Sequence, residues 1–71
     1  MMIEIFKTNV QNKAQVRRIV YSLKEQFTQA TINFDLNDCD KILRVQGIQE
    51  SCMQSIVNKL NDLGFNCEIL H

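Results

Sequence analysis

With 71 residues the chain has material for one modest core and no second lobe to wall a deep cleft, so a single domain over 1–71 is expected. A hydrophobic share of 45% argues against disorder, and eight basic residues balance eight acidic ones. That balance provides no overall field for a nucleic-acid backbone, and one tyrosine and four phenylalanines build no stacking platform, so nucleic acid is not an expected partner.

The opening Met1-Met2-Ile3-Glu4 lacks the basic and long apolar regions of a secretory leader, and no stretch is long enough to cross a bilayer. Cytoplasmic localisation is therefore expected, without membrane insertion. Residues 2–8 alternate, with Ile3 and Ile5 on one face and Met2, Glu4 and Phe6 on the other, and predict a central strand. Over 13–27, Val16, Ile19, Val20, Leu23 and Phe27 recur at helical spacing and form one apolar stripe. Asn12 stands at the N-cap of that helix with Gln15 three residues on, a pair suited to a capping box.

Ala30, Ile32, Phe34 and Leu36 alternate with Thr31, Asn33, Asp35 and Asn37, the pattern of a half-buried strand. A turn over 37–40 leads into a third strand with Leu43 and Val45 facing inward and Ile42, Arg44 and Gln46 outward. After Gly47, the residues Cys52, Met53, Ile56, Leu60 and Leu63 mark the buried side of a second helix, which ends at Gly64 with Phe65 packing back on Leu60. A last strand over 65–70 places Phe65, Cys67 and Ile69 on one face and Asn66, Glu68 and Leu70 on the other.

Two strand-helix-strand halves joined by right-handed crossovers place both helices on one face of a sheet. The expected fold is an α+β, ferredoxin-like βαββαβ sandwich: a four-stranded antiparallel sheet with the first and third strands central and its other face open. On that open face Phe6 and Ile42 are expected as neighbours, with Met2 and Leu70 further along, a possible interface. A monomer is favoured over a homodimer.

The order and spacing of Ile19, Ser22 and Leu23, the strand from Ile32 to Leu36, the run Leu43-Arg44-Val45-Gln46-Gly47, and Leu60 followed by Leu63-Gly64-Phe65 resemble the heavy-metal-associated (HMA) domain family over nearly the whole chain. That family includes copper chaperones, mercury-binding proteins and modules of metal-transporting P-type ATPases. Its Met-x-Cys-x-x-Cys loop aligns with Val10, Asn12 and Gln15, so both thiolate positions are lost. A carboxamide is a weak neutral ligand for copper(I), mercury or zinc, so no metal cofactor is expected. Copper chaperones use basic residues around the first helix to meet an acidic partner domain. The resemblance therefore implies protein docking through Lys13, Arg17, Tyr21 and Lys24, which lie along one side of that helix.

Other constellations are sparse. Cys39, Cys52 and Cys67 are an odd number at wide spacing, suiting reduced thiols, and Cys52 and Cys67 fall on apolar sides. The alternative is a divergent copper or zinc protein in which Cys39 and Cys67, at the same end of the sheet, bind the ion. The only histidine, His71, is expected to be a solvated terminus. Ser22, Ser51 and Ser55 have no recognisable histidine partner, and two glycines make no phosphate loop, so catalysis is not expected. A third reading, a ligand-sensing regulatory domain of the same topology, has no residue that identifies its ligand.

Overall fold

The computed structural model describes residues 3–70. The positions expected for Met2 and His71 lie outside the described residues. Strand β1 (Ile3–Thr8) leads to helix α1 (Lys13–Gln26), strand β2 (Thr31–Asp35) and strand β3 (Ile42–Gln46), then helix α2 (Met53–Asp62) and strand β4 (Cys67–Leu70). One turn of 3-10 helix, Glu50–Cys52, precedes α2. All strand pairs are antiparallel and the sheet order is β2-β3-β1-β4, a ferredoxin-like α+β fold with β1 and β3 in the middle.

Burial explains why these elements close on one another. Phe6, Ile19, Leu23, Leu43, Val45, Ile56 and Leu60 are fully buried, joining the central strands to both helices. Each such side chain contributes about 1.5–3 kcal/mol of transfer free energy. The end of α2 is fixed by the chain itself: the Phe65 N–H donates to the Leu60 carbonyl at 2.9 Å and the Gly64 N–H to that of Asn61 at 3.0 Å. This is a Schellman motif, and Gly64 takes the left-handed φ of +95° that it requires. It also explains why β4 begins at Cys67 rather than at Phe65, whose N–H is held by the helix.

One expectation is overturned. Phe6 does not lie on the open sheet face; it pairs with Leu43 on the helix side and is fully buried. Glu4 and Thr8 share its side, so Ile3 and Ile5 point outward. Ile42 is on the open face, opposite Lys7 rather than Phe6, and is only 6% exposed. Ion pairs between Lys7 and Asp40 and between Arg44 and Asp35, both at 3.7 Å, flank it. The strip of Phe6 and Ile42 therefore does not exist. The solvent-exposed aliphatic residues of the sheet are Ile3, Ile5 and Leu70, with Ile5 directly opposite Leu70. Strand period is two, so choosing the wrong parity for β1 reversed every one of its side chains.

Candidate functional site

The loop between β1 and α1 is occupied by backbone chemistry. Asn12 is the N-cap, and its Oδ1 accepts from the Gln15 N–H at 2.9 Å. Gln15 returns the contact one residue earlier than the expected box, its Oε1 accepting from the Gln11 N–H at 2.8 Å. Val10 is fully buried in the core, and the Asn9 Oδ1 accepts from the Asn66 N–H at 2.9 Å. These contacts account for the polar side chains of Asn9, Asn12 and Gln15 by helix and strand termination.

The thiols are free and dissimilar. Cys39 is exposed in the β2–β3 loop, Cys52 is half-buried before α2, and Cys67 is half-buried against the core. Burial pushes the Cys67 thiol up from its ordinary 9.0 to about 12, which disfavours the thiolate that a soft metal needs. The fold brings the Cys39 loop and Cys67 to the same end: the Thr8 N–H donates to the Asp40 carbonyl, and Thr8 pairs with Cys67. Cys39 sits with Asp38 and Asp40, with one ligand atom from each within 4.8 Å of the others. Both carboxylates are otherwise engaged, Asp38 accepting from the Asp40 N–H at 2.9 Å and Asp40 facing Lys7.

The residues suggested for docking occupy the side of α1 that faces away from α2. On the far side, Ser22 and Gln26 border a depression with Lys59 of α2. On the near side, Lys13, Val16 and Val20 line a groove of about 450 Å³ with Ile32, Phe34 and Leu36. Lys13 and Arg17 are exposed and form no ion pair among the described residues, and Tyr21 is 69% exposed. Lys24 is already engaged: its Nζ donates to the Ala30 carbonyl, tying α1 to the start of β2. Asp40 and Asp35, on either side of the β2–β3 turn, are partly neutralised by Lys7 and Arg44. The groove was missed in the sequence because Val16, Val20, Ile32 and Phe34 all carry ordinary core periodicity. The signal for it is that β2 is an edge strand, so its outer apolar side chains have no neighbouring strand to complete their cover.

The fold and surface together define a small ferredoxin-like α+β domain with an apolar-floored groove, bordered by Lys13 and Asp35, between its first helix and an edge strand. No protein-family model, no curated protein and no solved structure matches this chain. No helix among the described residues is long and apolar enough to cross a membrane.

Proposed function

We propose that the chain is a small non-enzymatic docking module, a metal-free derivative of the HMA-type domain, that binds an acidic surface of another protein through α1. The observation that carries this reading is the position of Lys13 and Arg17, exposed beside the groove while Lys7 and Arg44 are occupied by aspartates. Basic groups of this kind steer and orient a complementary partner more than they strengthen binding. The relation to HMA domains rests on the shared topology and on the order and spacing of Ile19, Ser22 and Leu23, the run from Leu43 to Gly47, and Leu60 with Leu63-Gly64-Phe65; Asn12 and Gln15 stand where that family carries its thiolates. A cytoplasmic setting belongs to the same proposal, supported by three free cysteines.

Affinity capture with the native chain and with Lys13→Glu, Arg17→Glu, at low and high salt, tests the docking. The expected result is a set of partners weakened by salt and lost with the double variant; equal capture by both chains overturns it. Anaerobic native mass spectrometry with copper(I) and zinc tests the metal-free element. No stoichiometric uptake is expected. Uptake abolished by Cys39→Ser, Cys67→Ser would replace this reading with the divergent metal protein.

A further inference from the structure

Strand β2 leaves one edge of its backbone unpaired, because the sheet ends there. Edge strands are ordinarily blunted by lysine, proline, a bulge or shortness. None of the first three is found in β2: Thr31, Ile32, Asn33, Phe34 and Asp35 pair with β3 in unbroken register, and its one charge, Asp35, is paired with Arg44 of β3. β4, at the other edge, has four described residues and carries the exposed charge of Glu68.

Two lysines delimit the open edge. Lys24 Nζ donates to the carbonyl of Ala30, immediately before β2, and Lys41 Nζ donates at 2.9 Å to that of Leu36, immediately after it. Between these bonds lie the five residues Thr31–Asp35, with a positive charge at each end. Beside the edge runs the groove floored by Val16, Val20, Ile32 and Phe34, with Lys13 on its rim and with Asp35, which is paired with Arg44. A strand added here would turn every second side chain into that groove while its backbone bonded to β2.

We propose that β2 accepts an extended peptide from the partner as a fifth strand. Alternate aliphatic side chains of the peptide fill the α1–β2 groove, and its acidic residues meet the lysines at the two ends. The open edge calls for an extended backbone, the half-buried apolar floor for alternating apolar side chains, and the lysines for flanking carboxylates. This deepens the docking proposal and rests on it, naming the partner's conformation and chemistry.

The probe is an acetylated, amidated peptide, Glu-Thr-Val-Thr-Val-Thr-Glu, titrated to millimolar concentration against the isotope-labelled chain. NMR should show slowed amide exchange at alternate residues of 31–35, those whose N–H faces the open edge, and methyl shifts at Val16 and Val20. Two backbone-methylated peptides, one blocked at the valine nitrogens and one at the threonine nitrogens, add a geometric test. In an added strand only one set of amides faces β2, so one methylated peptide should lose binding and the other retain it. Val20→Glu, at a half-buried helix position, should weaken binding about tenfold or more by placing a charge in the groove. An unchanged spectrum at β2, or equal loss with both methylated peptides, overturns the inference. If partner capture still depends on Lys13 and Arg17 in that case, docking stands and only the added strand fails; if that dependence also disappears, both fail.

Discussion

Glu4 is the residue whose surroundings least suit its chemistry. It is 7% exposed on the helix side of β1, and its Oε1 has no hydrogen-bond partner among the described residues. A buried polar atom without a partner costs free energy, which an apolar side chain of similar length avoids. Glu4→Met is therefore expected to stabilise the chain by about 1–2 kcal/mol in urea unfolding. A loss of that size would mean that the carboxylate is held by an interaction. Cys67 gives a prediction with a defined pH window. Its folded-state value is raised from 9.0 to about 12, so burial favours the neutral thiol. Below pH 9 the thiol is protonated in both states and this contribution is fully present; as pH rises from 9 towards 12 only the unfolded chain releases the proton, and stability falls. Unfolding midpoints should decline across that window, and Cys67→Ala should flatten part of the slope. An identical slope in the variant would assign the decline to other groups. Alkylation at neutral pH should modify exposed Cys39 well before Cys67.

At the scale of elements, glycine controls two chain reversals in different ways. Gly64 has φ +95° and open space where a Cβ would stand, so Gly64→Ala should cost about 1 kcal/mol from backbone conformation alone. Gly47 has φ +85°, and a Cβ there would lie 3.2 Å from the Gln29 carbonyl oxygen, so Gly47→Ala should cost more. Chemical unfolding of the two variants compares them directly, and equal losses would exclude the steric part. Gly64 was legible in the sequence because a helical apolar stripe stops there and an aromatic residue follows. Asn12 was legible because cap and third helical residue have a fixed spacing. The facing of β1 was not. Ile3 and Ile5 compete with Phe6 for the core, and alternation alone is equally satisfied by either parity. The larger ring, followed by Thr8 on the same side, won the interior at the expense of burying Glu4.

Across the whole molecule, strand order and connectivity were readable because right-handed crossovers leave few arrangements for two strand-helix-strand units. The groove was not, since it depends on the separation between α1 and the outermost strand rather than on either sequence alone. The same view bears on assembly. Ile3, Ile5 and Leu70 form a small outward aliphatic group, whereas a stable interface engages about 20–30 residues a side. Sedimentation equilibrium is expected to give a monomer mass through high micromolar concentration, and a dimer lost on Ile5→Glu would overturn that expectation.

The strand order also bears on how the chain finds its structure. β1 must pair with β3 and with β4, as in Ile5 with Leu70, so the sheet's centre joins distant stretches of chain, while only β2 and β3 can meet through a short loop. Such contacts close slowly. A hairpin formed early would expose the outer edge of β2, and the inner edge of β3, before β1 arrives to complete the sheet. The surface proposed to receive a peptide in the native protein is therefore also at risk of self-association during folding, and refolding yield should fall with concentration.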